Sequence, residues 1–571
     1  VLANEHFLCE NAISMDHLAI TTLAVVTVSE PPVSRRLLPG RDPLTDWFWS
    51  SGADGTLRLR TIDGRLAHPS LTPSGPDAAE PVAVSGQAMV VALTVVPEDA
   101  PGIAAPFCVA IVALVDDPTV RLTTNIVNCD PRDVYVGMTV RVVMDHASDR
   151  VSLPLFEPAD GPTVALPEPP VMNPPRPLSD TRYESGAVLS GIGMSQVGRR
   201  LLRAPIELAV EATERAVADA GLTLAEIDGI CTYPGTAAGG MGEGGVSAMV
   251  QRLGLRPTWH NGGMDQPGPI GAVTNALLAI NAGLVRHVLV IRTVWEATFR
   301  YWSGTGQLRG GGLMGGGASG DFAWRLPFGA VRPASWLAVN ASLYAAKYGE
   351  LRPTLGRIAI NARRNAGLNP DAVYREPLTM DEYMNARMIS SPFGLFDCDV
   401  PCDGAIAVIV SARETEPDLR HTPVHVEAAG TWIGEGISWD QSTLTHEPQV
   451  LGPAAHMWTR TDLKPADVDI AELYDGFTYN CLSWIEALGF CGIGEGIDFI
   501  GDGSRIALDG DLPLNTHGGQ LSAGRLHGFG GLHEAIVQLR GDAGDRQVAD
   551  AEVAVVSSGG GTPGGCLLLT R

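Results

Sequence analysis

The chain divides into two textures of hydrophobic patterning. Before residue 158, apolar residues fall in short β-branched runs at Ala83–Pro97, Phe107–Val115, Val120–Cys129 and Met138–Met144. Turn residues such as Asp116-Asp117-Pro118 and Asp130-Pro131 separate them. Several short strands within about 100 residues predict a small β-barrel. After residue 180 strand and helix patterns alternate, as in a wound α/β sheet. Pro205–Ala220 (PIELAVEATERAVADA) has helical apolar spacing, proline in the first turn and Gly221 at its C-cap. Between the two textures, residues 158–177 hold eight prolines. This predicts an extended linker, because proline fixes φ and removes a backbone donor.

The second texture repeats. LTLAEID (222–228) precedes the strand GICTY, and LKPADVD (463–469) precedes the strand IAELYD. Gly262-Gly263 and Gly518-Gly519 then open glycine-rich turns into PIGAVTNALLAI and GLHEAIVQL. Landmarks in the same order predict a duplicated βα half. The organisation expected is 1–40, a segment of no assigned role; 41–157, the barrel; 158–180, the linker; and 181–571, the α/β region.

Charge narrows the partners. The formal charge of −24 argues against nucleic acid and anionic membrane, but not against a small anion in a local positive pocket. Nine cysteines without a CxxC pair read as reduced thiols of a cytoplasmic protein. The apolar run Leu18–Val28 is too short to span a bilayer and lacks a basic leader.

Four segments carry a resemblance. SPFGLFDCDVPCDGAIAVIVS (391–411), AELYDGFTYNCLSWIEALGFC (471–491), NTHGGQLSAGRLHGFGG (515–531) and SSGGGTPGG (557–565) resemble, in order, motifs of the thiolase superfamily's sterol-carrier-protein and lipid-transfer branch. The implied fold is α/β: a duplicated thiolase fold, layered α/β/α/β/α, preceded by the small barrel. The segments LTDWFWSSGADGTLRL, PFCVAIVALV, NIVNCDPRDVYVGMTVRVV and VSLPLFEP resemble the OB-fold domain that accompanies thiolase-like proteins. That domain usually follows a zinc ribbon with two CxxC pairs, but residues 60–81 here hold no cysteine, so no metal is expected.

The departures carry the chemistry. Where thiolases set a nucleophilic cysteine after an Asn-Gly-Gly turn, this chain reads NGGMDQPGPIG (261–271), with Met264 and Asp265 near the position. The second cysteine is replaced by Ser557. The Gly-His-Pro position reads Gly524-Arg525-Leu526 with His527 displaced, and Tyr474 stands where the family has Asn or His. Without a thiolate, condensation through an acyl-cysteine is excluded. A site that keeps oxyanion stabilisation suits reactions through a thioester enolate. The combination resembles the steroid side-chain-cleaving aldolases, and implies retro-aldol cleavage of a β-hydroxyacyl-CoA to a carbonyl compound and a short acyl-CoA such as propionyl-CoA.

The resemblance implies catalytic roles for Tyr474, His527, Asp475 and Tyr479, and substrate contacts for Arg525, Gly559, Gly560 and Met264. It implies no cofactor beyond the CoA of the substrate. The partners it suggests are a second copy of the chain and an upstream hydratase. A non-catalytic CoA-thioester carrier and a thiolase-like acyltransferase are the alternatives. The run Gly310–Gly317 lacks the lysine and βαβ context of a phosphate loop and reads as a loop over the site. Trp295, Trp302, Trp324 and Trp336 would line an acyl pocket or a dimer interface.

Overall fold

The computed structural model describes residues 36–72, 78–178, 181–235, 239–306, 318–436, 438–559 and 563–571. Gly560, the run Gly310–Gly317 and most of the segment 1–40 lie outside the described residues.

Five antiparallel-rich strands close the barrel: β1 Gln87–Val96, β2 Phe107–Leu114, β3 Arg121–Ile126, β4 Thr139–Ser148 and β5 Val151–Pro158, in the order β1-β2-β3-β5-β4. The first four follow the β-branched runs. The fifth carries Pro154 and so lacks that signature; it pairs mainly with β4, through Met144 opposite Pro154 and Val142 opposite Phe156. Ahead of the barrel, Arg58–Ile62 and Arg65–Ala67 form a hairpin whose Asp63-Gly64 turn has positive φ at both residues (51° and 77°). Aromatic packing underlies this region: the Trp324 ring lies 4.7 Å from Trp49 and 4.6 Å from His68. Trp324 is thus part of the barrel's core rather than of an acyl pocket, and Trp336 lies 6.1 Å from the Phe322 ring, its indole donating to the Ala330 carbonyl.

The α/β region is built on nine strands: β6 Ala187–Met194, β7 Gly229–Tyr233, β8 Trp259–Gly262, β9 His287–Trp295, β10 Asp403–Ala412, β11 Val424–Gly430, β12 Ile470–Glu472, β13 Val553–Ser558 and β14 Gly565–Thr570. Their order is β8-β7-β9-β10-β6-β11-β14-β13-β12. β10 is buried along its whole length, as expected of a strand covered on both faces. Helix α1, Pro205–Asp219, lies directly on β6. A Cβ at Gly193 would stand 2.2 Å from the Ala212 carbonyl oxygen, so this approach requires glycine. The two repeated landmarks become short turns leading into β7 and into β12. The two glycine-rich turns open helices α2, Gly271–Asn281, and α3, Phe529–Arg540.

Barrel and α/β region share an interface. Thr123 donates to the Asp440 carboxylate (2.9 Å), Arg121 to the Ser442 carbonyl (2.7 Å) and Asn125 to the Phe328 carbonyl (2.8 Å). Apolar barrel residues Val91, Val109 and Ile111 pack with Val339, Leu343, Trp439 and Leu444. The proline-rich stretch runs without helix or strand, and Lys347 donates to its Pro167 carbonyl at 3.0 Å.

Candidate active site

Tyr474 leaves the end of β12, where its backbone N–H donates to Ser557 Oγ of β13 at 2.9 Å. Strand ends of parallel pairs are where open α/β sheets bind ligands. The ring folds across Gly476: a Cβ there would lie 2.8 Å from the ring and 3.0 Å from the hydroxyl. Tyr474 is buried, yet among the described residues its hydroxyl has no hydrogen-bond partner. Burial holds the phenol well above its ordinary pKa, and the nearby Asp399, Glu447, Tyr233 and Asp475 add to this, so it rests protonated.

Asp475, the next residue, accepts from the Gln520 backbone N–H through Oδ1 at 2.8 Å, while Oδ2 is buried without a partner among the described residues. Burial pushes its carboxyl up to about 6. Gln520 in turn ties Asp475 to His527, because its Oε1 accepts the His527 backbone N–H at 2.8 Å. His527 has φ of 53°, uncommon for a residue with a Cβ, just ahead of α3. Its Nδ1 faces the guanidinium of Arg292 on β9. Burial, then Arg292 and Arg525, hold the imidazole well below its ordinary pKa, so the ring is neutral.

Arg525 is already occupied by acids. Nη1 lies 3.2 Å from both oxygens of Asp399, and Nη2 contacts Glu296. Burial lowers it to about 10, which leaves it charged at neutrality. Asp399 is pushed well up by burial, with Arg300 opposing and Asp475 reinforcing the shift; the Arg525 contact also favours its charged form. Tyr479 lies in the core, its hydroxyl donating to the Thr445 carbonyl at 2.6 Å. Gly559 sits where a Cβ would come 2.7 Å from Glu447 Oε1.

Met264 is 42% exposed, on the outside of its turn. What faces the 557–565 loop is Pro267-Gly268. A Cβ at Gly268 would meet Ser558 Oγ at 2.2 Å, and the Gly268 N–H donates to the Pro563 carbonyl at 2.7 Å. The turn before α2, the end of β13 and the turn before α3 therefore converge on one point; the thiol beside it, Cys402, donates to the Arg525 carbonyl at 3.6 Å and is kept protonated by burial. All eight described cysteines have pKa values raised by burial, Cys231 and Cys491 to about 12, so none is an activated thiolate. Arg292, Asp399, Glu447 and Gln520 were not singled out from the sequence. Arg292 had a signal, since an arginine within HVLVIRTVW is a charge in a buried strand.

The comparisons agree with this geometry. The thiolase C-terminal domain-like family matches residues 440–565, and the ChsH2 C-terminal OB-fold domain matches residues 81–145. The steroid side-chain-cleaving aldolase of Thermomonospora curvata is 33% identical over 389 residues, 67% of this chain and 97% of that protein. The chain belongs to the family of thiolase-fold steroid side-chain-cleaving aldolases. Another member, the 17-hydroxy-3-oxo-4-pregnene-20-carboxyl-CoA lyase of Mycobacterium tuberculosis, is 33% identical over 67% of this chain and 98% of its own length. The solved Ltp2-ChsH2(DUF35) aldolase aligns with a TM-score of 0.59 at 31% identity, over 68% of this chain and 98% of that one. In this aldolase the α/β region and an OB-fold barrel lie in one chain.

Proposed function

We propose that this chain is a carbon–carbon lyase that cleaves a β-hydroxyacyl-CoA, a steroid side-chain thioester, into a carbonyl compound and a short acyl-CoA such as propionyl-CoA. The observation that carries this is the convergence of the three loops. It holds no nucleophilic thiol, and beside it stand a buried tyrosine with an unengaged hydroxyl, carboxylates and a neutral imidazole. The relatives' names support the same reaction class.

The steps balance without a co-reactant. The substrate's β-hydroxyl gives its proton to the Tyr474 oxygen while the phenol's own proton goes to Asp475, whose carboxyl, raised to about 6, is charged at neutral pH and whose Oδ2 has no partner among the described residues. The C–O bond becomes a carbonyl, the Cα–Cβ bond breaks, and its electron pair moves into the thioester as an enolate. The proton returns to Cα, giving the acyl-CoA. The thioester is the electron sink, so the reaction asks for no cofactor beyond the CoA of the substrate. Upstream, a hydratase adding water across an α,β-unsaturated thioester would supply the hydroxyl.

A homodimer fits the edge of the sheet. Among the described residues β8 pairs only with β7, which leaves it at the edge of the sheet, near the exposed Met264. The eight described cysteines are free thiols, which suits a cytoplasmic setting.

Mass spectrometry of full-length protein with a 17-hydroxy steroid 20-carboxyl-CoA tests the reaction. The expected result is the 17-ketone and propionyl-CoA, unaffected by iodoacetamide. Acyl transfer through a trapped acyl-cysteine would overturn it in favour of an acyltransferase. Thioester binding without turnover would overturn it in favour of a carrier.

A further inference from the structure

Arg292 stands in the middle of β9 and is fully buried, with no exposed surface. Burying a guanidinium is costly unless it is paired and hydrogen-bonded. Among the described residues no carboxylate forms an ion pair with it. Instead Nη1 donates to three backbone carbonyls, of Tyr233 (3.2 Å), Met241 (2.5 Å) and Thr293 (2.9 Å), Nη2 faces His527 Nδ1, and Nε has no partner. Those carbonyls fix the plane of the fork without neutralising its charge. Glu243 interacts with it at longer range, and burial raises that carboxyl, which favours its neutral form.

A guanidinium has donors and no acceptor. An imidazole nitrogen that meets it must therefore present a lone pair, which leaves the ring proton on the other nitrogen. Among the described residues His527 Nε2 has no hydrogen-bond partner. The backbone of His527 is held separately by Gln520, so the ring's direction and its tautomer are both set.

We propose that Arg292 is a positioning residue of the cleavage reaction: it fixes His527 as the neutral Nε2–H tautomer, making that ring a hydrogen-bond donor to the thioester oxygen as the enolate forms. This rests on the lyase reading above. It assigns His527 to oxyanion stabilisation and leaves the proton acceptor at Tyr474 and Asp475. The buried guanidinium also supplies, one ring away, the positive charge that a developing enolate lacks in an apolar site. The other titratable groups around the pair are Arg525 of the same turn, Cys402 at the head of β10, and Tyr233 and Tyr474 at the ends of β7 and β12.

The test has an arm independent of turnover. In full-length protein labelled with ¹⁵N-histidine, the His527 signal, assigned by its absence in His527→Asn, should show a proton on Nε2 alone from pH 5 to 8. In Arg292→Gln the same ring should titrate within that range. Turnover supplies the second arm. Arg292→Gln should lower kcat by about 10²- to 10³-fold, the usual cost of one oxyanion donor, with KM changing little and a new acid limb in the pH profile. Arg292→Lys keeps the charge and should retain the neutral ring with a smaller loss. Should Arg292→Gln fail to fold, the wild-type spectrum and Arg292→Lys still decide. A wild-type ring protonated on Nδ1 or doubly protonated at neutrality would overturn the proposal, as would Arg292→Gln with near-normal kcat and an unchanged pH profile. Wild type with the Nε2–H spectrum but no cleavage would instead locate the failure in the lyase reading.

Discussion

At the scale of single residues, two substitutions separate chemistry from packing. Tyr474→Phe removes a hydroxyl that has no protein partner among the described residues, so the ring keeps its place across Gly476. Turnover should fall by about 10²- to 10⁴-fold, the contribution of a positioned acid or base. Thermal unfolding should move little, because no hydrogen bond within the protein is lost. Near-normal kcat would show that the hydroxyl takes no part. Asp475 makes a prediction in pH. Its carboxyl is raised from 3.8 to about 6 by burial, so its contribution to stability is greatest below the unfolded-state pKa and is lost as pH rises through about 6. A shift of that size is worth on the order of 3 kcal/mol. Asp475→Asn should therefore unfold at a higher temperature than wild type at pH 7.5, with the gap closing toward pH 4. Parallel melting curves across that range would show that the carboxyl does not ionise in this interval.

At the scale of elements, the position of the site depends on how closely helices and loops approach strands. Helix α1 rests on the backbone of β6, and a methyl at Gly193 would strike the Ala212 carbonyl. Gly193→Ala should cost about 1–3 kcal/mol or more, as overpacking does, read as a lowered Tm. An unchanged Tm would mean that helix and strand can separate without penalty. The same closeness explains the turn before α2. In place of a nucleophile it presents Pro267-Gly268 to Ser558, because a side chain at 268 would collide with that serine. Met264, four residues earlier, points outward, which the glycine-rich spacing alone did not reveal.

At the scale of the whole molecule, the barrel covers part of the α/β region. Removing residues 1–157 would expose Val339, Leu343, Trp439 and Leu444 and leave the buried Asp440 carboxylate without Thr123. The isolated 158–571 fragment should aggregate or melt well below the full chain. A soluble, fully active fragment would show that the barrel is dispensable. What was legible in the sequence was what depends on local order: four barrel strands from β-branched runs, α1 from its apolar spacing, the duplicated landmarks, and the loss of thiolase cysteines from motif positions. These follow from periodicity and residue chemistry within a few positions of one another. The partners of Tyr474, the occupation of Arg525 by Asp399 and Glu296, and the Arg292–His527 contact were decided by tertiary structure. Arg292 and His527 are 235 positions apart, and Arg525 and Glu296 229. Only the packing of β9 and β10 against the turn before α3 brings such groups within hydrogen-bond reach, and burial there, which no linear pattern encodes, sets their protonation.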